Sequence, residues 1–143
     1  TQTGVAPASA ALTGAPAYVT FDRAATKAGL CLRKNTPADA RIAVVWAGSV
    51  PYYADRFAID LLGKMDREIA ASPPKAKFLP GHNKWDYAYS IQTHKPDFIL
   101  QVWGGRHGDI DLIRARGYDA VDPAWPCFAN GFLVPGQVFA KRS

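Results

Sequence analysis

Glutamate is almost missing from this 143-residue chain, which carries eleven aspartates and a single glutamate, Glu68. Cysteine is nearly as scarce, with only Cys31 and Cys127. Two thiols cannot complete the tetrahedral ligand set of a structural zinc site, and no Cys-x-x-Cys pair is present. They are either two buried thiols or one disulfide, and sequence spacing does not choose between these. An extracytoplasmic setting favours the bridge. No apolar run approaches the roughly 18–20 residues of a membrane span, and no lysine-flanked apolar leader opens the sequence. Long runs of like charge are also missing, so a nucleic-acid-binding arm is not indicated. There is no G-x-S-x-G elbow, Walker A loop, G-x-G-x-x-G turn or H-E-x-x-H helix. Most familiar hydrolase, kinase and dehydrogenase readings lose their main support with them.

What remains is the composition of a folded chain. Apolar types make up 48% and aromatic types 12%, enough for one sizeable core. Seventeen Lys and Arg against twelve acids give a net charge of +5, scattered along the chain. Such a surface is either simply solvated or suited to anionic lipids and phosphorylated ligands.

Residues 1–16 hold no charge and are rich in small residues, Pro and Gly. They read as a flexible linker or an expression remnant, leaving residues 17–143 as one domain. From Pro16 the apolar spacing of Tyr18, Phe21, Ala25, Ala28 and Leu32 predicts a helix that ends before Pro37. Residues 41–47 form an apolar run typical of a strand covered on both faces, and Gly48 to Pro51 breaks it. A second strand is expected over 57–62. Asp66 is placed to cap a short helix over 67–71, and Asn83 to cap one that reaches about His94. Another buried strand is expected over 98–103. A helix capped by Asp109 and stopped at Gly117 comes next, then a short strand over 118–121. A Pro-rich loop leads to a terminal strand or hairpin over 132–140. This alternation predicts an α/β layered sandwich with a small, largely parallel sheet flanked by helices. Ligands in such folds gather beyond the carboxyl ends of the strands.

Three segments carry polar groups suited to ligand binding. The first, Gly81, His82, Lys84, Trp85 and Asp86, combines an indole and charged groups at an expected helix start, where free N–H groups favour anions. Its simpler reading is a capped helix with a core tryptophan. The second holds Asp60, Lys64 and Asp66. Asp60 lies inside an apolar run and needs hydrogen-bond partners there, whereas Asp66 reads more readily as a cap than as a catalytic acid. The third is the glycine-rich turn around Arg106 and His107, which could cradle a phosphate but is equally common without a ligand. The tandem Tyr52 and Tyr53 fit either a carbohydrate platform or ordinary packing. No metal or cofactor site is expected.

Several of these segments together resemble a known family. The run from Cys31 to Val44 (CLRKNTPADARIAV) is followed by Ala47 to Tyr53 (AGSVPYY), Ala58 to Asp66 (AIDLLGKMD), Ile69-Ala70, Pro80 to Asp86 (PGHNKWD) and Lys95-Pro96-Asp97. In this order they resemble the C-terminal soluble domain of bacterial polytopic membrane glycosyltransferases of the terminal arabinofuranosyltransferase type. The likeness spans roughly residues 29–122 and is more specific for the domain than for the sugar. It implies an extracytoplasmic (periplasmic) domain that follows the membrane part of a polyprenyl-phosphate-sugar-dependent enzyme of the cell envelope. The catalytic acid of that family lies in the membrane part, so the resemblance implies an accessory, non-catalytic role here. The implied partners are an envelope glycan or lipid-linked sugar and the protein's own membrane domain, with no nucleic acid. Cys31 stands where the family pattern has Trp, and Cys127 has no counterpart in it.

Two other readings are carried forward. One is a structural domain that docks on membrane helices or a partner, marked by an exposed aromatic patch. The other is a small α/β enzyme acting on a phosphorylated substrate, in which Arg106, His107 and His82 would converge.

Overall fold

A computed structural model describes residues 17–77 and 79–143. The linker expected over 1–16, and Phe78 at the start of the next loop, lie outside these. The first helix, α1 (Ala17–Asn35), buries Ala25, Ala28, Gly29 and Leu32, and it ends where Thr36 Oγ donates to the Leu32 carbonyl. Strand β1 (Arg41–Val44) follows, then a helix α2 (Ser49–Ala54). By sequence pattern the start of the α2 segment is only a strand break. Pro51 is tolerated because it sits in the first turn, where its missing N–H would have no intrahelical partner.

Helices α1 and α2 cross closely at Gly29. A Cβ there would lie 2.7 Å from the Val50 carbonyl oxygen and 2.8 Å from Tyr53 Cβ, so only glycine allows this approach. Arg56 ties the ends of both helices together. Its guanidinium donates to the carbonyls of Arg33 in α1, of Thr36 just beyond it and of Ala54 in α2.

Strand β2 (Phe57–Asp60) is followed by α3 (Arg67–Ala71), α4 (Tyr87–His94), β3 (Phe98–Ile99), α5 (His107–Ala115), β4 (Tyr118–Ala120) and β5 (Phe139–Lys141). The five strands lie in the order β2-β1-β3-β5-β4. Strand β1 pairs in parallel with β2 and with β3, whereas β5 runs antiparallel to both β3 and β4. Helices cover both faces, as strand alternation requires. Ile42 and Val44 face α1 and α2 with Leu32, Val50 and Ala54, while Ala43 and Val45 face the other layer with Trp85, Tyr87, Ile91 and Ile113. The α/β layered sandwich is thus present, with a mixed sheet that is parallel at its centre.

Cys31 and Cys127 form a disulfide with a Cα–Cα distance of 5.5 Å. It joins α1 to the 3-10 turn Pro126–Phe128. Tyr118 donates to the Pro96 carbonyl at 2.6 Å, and burial, with the Asp97 charge adding, pushes its phenol up to about 12.

Strand and helix limits differ from the sequence expectation in an informative way. Strands β1 and β3 stop at Val44 and Ile99, short of Trp46 and Trp103. Their register pairs Ile42 with Phe98 and Ala43 with Ile99, and Leu100 N–H extends it to the Ala43 carbonyl. Beyond that point the two chains part. Helix α4 begins at Tyr87 rather than after Asn83, because Asp86 caps it through Tyr89 N–H at 2.9 Å. Helix α5 begins at His107 without a side-chain cap, so Asp109 lies inside its first turn.

Candidate functional site: an aromatic cleft at the carboxyl edge of the sheet

The chain leaves β1 toward β2 on one side, and the next strand to return, β3, lies on the other. Their carboxyl ends therefore flank a topological switch point, the preferred ligand position in open α/β sheets. A cavity of about 290 Å³ opens there, lined by Val45, Trp46, Gln101, Val102, Trp103, Gly104, Val134 and Gln137. Trp46 and Gln101 also border a second depression with Phe21 and Phe132, and Trp46 borders a third with Lys64, Met65 and Asp22. One indole is thus the common wall of three adjoining hollows.

The aromatic groups form a connected cluster. The Trp46 and Trp103 rings are 5.9 Å apart and nearly perpendicular, and the His82 ring lies 5.4 Å from Trp46 and 5.1 Å from Trp103. Phe21 meets Trp46 edge-on at 5.3 Å and Phe132 at 5.1 Å. Trp103 is held twice: its backbone N–H donates to the Tyr87 hydroxyl at 2.7 Å, and its indole N–H donates to the His82 carbonyl at 2.9 Å. Burial, reinforced by the Asp109 charge, pushes the Tyr87 phenol far above its usual range despite the opposing Trp103 bond. Tyr87 is therefore a neutral support and not a base.

His82 Nδ1 lies 2.8 Å from the Pro80 carbonyl, which accepts its proton and leaves Nε2 as the acceptor. Lys64 Nζ donates to that Nε2 at 3.4 Å and sits 5.8 Å from the Trp46 ring centre. Gly81, at φ +69°, makes room for the lysine stem, since a Cβ would come within 3.1 Å of Lys64 Cε. Lys64, Gly81 and His82, singled out from the sequence, are brought together behind Trp46, with Lys64 lining the third hollow.

Other residues singled out from the sequence go elsewhere. Trp85 is 2% exposed and belongs to the core, with the Arg106 guanidinium 4.8 Å above its ring. Asp86 caps α4. Lys84 donates to the Ala70 carbonyl near the end of α3. Asp60, 7% exposed, accepts the backbone N–H groups of Leu62 at 3.0 Å and Met65 at 2.6 Å, which shapes the turn that carries Lys64.

Asp66 caps α3 through Glu68 and Ile69 N–H and pairs with His94 Nε2 at 2.9 Å. Burial acts to raise its pKa, but the His94 hydrogen bond and the Ile69 and Glu68 N–H groups outweigh it and hold the carboxyl below its ordinary 3.8. Tyr52 and Tyr53 pack edge-on at 5.2 Å. Tyr52 borders a separate, larger cavity of about 610 Å³ beside edge strand β2, together with Arg56, Phe57, Asp60, Met65, Asp66 and His94.

Sequence reasoning missed Trp46, Trp103, Gln101, Phe21 and Phe132 as site residues. The two tryptophans read as the ends of buried strands. A signal was present in the chain: each follows a valine at the end of an apolar run and comes just before a glycine, as Val45-Trp46-Ala47-Gly48 and Val102-Trp103-Gly104. A bulky ring beside such a break belongs to the strand end and not to the strand.

The arrangement supplies flat apolar faces, the amides of Gln101 and Gln137, and one ammonium group. That set suits a sugar ring, whose C–H faces stack on indoles while its hydroxyls meet amides. Among the described residues no group of three or more His, Cys, Asp or Glu is placed to hold a metal ion.

No curated protein and no solved structure matches this chain significantly. A family model described as "Domain of unknown function (DUF8728)" matches residues 14–136, which takes in strands β1–β4, the disulfide and every cleft-lining residue except Gln137. The chain belongs to that DUF8728 family.

Proposed function

We propose that this chain is a saccharide-binding accessory domain, non-catalytic alone, of an extracytoplasmic membrane glycosyltransferase that uses a polyprenyl-phosphate sugar. Its ligand is the glycan acceptor or the sugar headgroup of the lipid-linked substrate. The observation that carries this reading is the open pair of indoles, Trp46 and Trp103, at the sheet's switch point. The resemblance in sequence supports the glycosyltransferase context. The Cys31–Cys127 bridge supports an oxidising compartment such as the periplasm.

The test is ligand-observed NMR with arabinan and mannan fragments, simple pentoses and hexoses. Saturable binding that is lost in Trp46→Ala and retained in Lys84→Ala is expected. Silence across the panel at millimolar concentration removes the proposal.

A second reading, docking on membrane helices or a partner, draws on Tyr52, Phe57 and Met65. These are 79%, 59% and 83% exposed around the larger cavity. The enzyme reading is weaker. Arg106 packs over Trp85 while His82 packs against Trp46 and Trp103, and among the described residues no hydrogen bond joins Arg106, His107 and His82.

A further inference from the structure

Two lysines, Lys64 ahead of α3 and Lys84 ahead of α4, are used differently. Lys84 donates a hydrogen bond to a helix-terminal carbonyl and so serves the fold. Lys64 reaches only the His82 ring nitrogen Nε2, at 3.4 Å, and among the described residues no carboxylate lies within ion-pair distance of it. Asp22 borders the same hollow without pairing with it.

The position of Lys64 is nevertheless prepared. The turn that carries it is clamped by Asp60, its stem lies against Gly81, and its ammonium is held by His82 near the face of Trp46. An imidazole acceptor orients an ammonium without neutralising it. The full positive charge is therefore left to whatever enters the cleft.

We infer that Lys64, positioned by His82, forms an anion subsite at the edge of the aromatic cleft, and that the ligand is an acidic saccharide. The negative group is a phosphate or a carboxylate attached to a sugar whose ring packs against the Trp46 indole, in the corner it makes with Trp103. This rests on the saccharide-binding reading and narrows its ligand class. A charge-assisted contact to a prepared lysine is expected to strengthen binding by about tenfold over the neutral parent sugar.

The experiment titrates the protein with a neutral pentose and hexose, their 1-phosphates, a hexuronic acid and inorganic phosphate. It is run on the native chain, on Lys64→Met, which keeps the stem and removes the charge, and on Lys64→Arg. Lys64 is exposed, so all three are expected to fold alike, checked by their amide NMR spectra. The inference expects tighter binding of the acidic sugars, loss of that gain in Lys64→Met, and its retention in Lys64→Arg. A gain confined to the 1-phosphates, or to the uronic acid, identifies the source of the charge. Equal binding of neutral and acidic sugars, or a gain that survives in Lys64→Met, overturns the anion subsite and leaves the aromatic cleft standing. Inorganic phosphate binding as tightly as the sugar phosphates overturns the saccharide as the recognised group. Failure of every sugar to bind overturns the cleft reading as well.

Discussion

The indole N–H of Trp103 donates to the backbone carbonyl of His82 at 2.9 Å, so the end of β3 is tied to the loop between α3 and α4. The two residues are 21 positions apart in sequence, and the loop backs the Trp103 ring that lines the cleft. Their connection sets the angle of both rings before any ligand arrives, which lowers the ordering cost of binding. Trp103→Phe keeps an aromatic face and removes the donor. It is expected to lower stability by about 1 kcal/mol and to weaken saccharide binding several-fold, measured by urea unfolding and by NMR titration.

Asp60 works at one remove from the site. Replacing it with Ala leaves Leu62 and Met65 N–H without their acceptor. The expected cost is about 2–3 kcal/mol. Because that turn carries Lys64, binding should weaken in Asp60→Ala even under conditions where the protein remains folded. Unchanged affinity would show that the turn holds its shape without the carboxylate.

Acid should act through Asp66. Its folded-state pKa lies below the ordinary 3.8, so the stability it contributes is in place above that value and is lost as pH falls through the lowered pKa. Asp66→Asn removes the charge but keeps a capping oxygen. The stability difference between native chain and variant should therefore shrink as pH falls below about 4. Denaturation midpoints across that range are the check.

The disulfide closes a loop with a sequence separation of 96 residues. Double substitution of Cys31 and Cys127 by Ser should cost roughly 2–5 kcal/mol. It should release α1 from the Pro126–Phe128 turn while leaving the sheet register unaltered. Urea unfolding with and without reductant gives the first number, and amide exchange along α1 tests the second.

Lys84→Ala separates the two lysines. Loss of its bond to the Ala70 carbonyl should lower stability by up to about 1 kcal/mol and leave saccharide affinity unchanged. A loss of affinity in Lys84→Ala equal to that in Lys64→Met would place the anion contact on the wrong lysine.

Much of the architecture was legible along the chain, because burial and capping are local. The stripe over Ala25, Ala28 and Leu32, the apolar run Ile42–Val44 and the cap at Asp66 each announce one element. Helix α2 was not legible. Its stability comes from close packing on Gly29, and Pro51 with the adjacent tyrosines reads against it. The start of α4 was misplaced because Asn83 and Asp86 are both good caps. Burial of Trp85 in the core decided between them.

The candidate site shows the same division. Lys64, Gly81 and His82 stood out through residue type alone, since a lysine, a glycine and a histidine near strand ends carry recognisable chemistry. The residues that make the cleft, Trp46, Trp103 and Gln101, did not, because apolar runs look alike whether they end in a core or at an opening. Local pattern determines which segments become strands and helices, through hydrophobic periodicity and the backbone limits of Pro and Gly. Which strand ends separate is decided only when β1 and β3 pair and their chains continue to opposite sides of the sheet. That divergence leaves two indoles half-buried at an opening, and the turn after β2 sets beside Trp46 a lysine that has no ion-pair partner among the described residues.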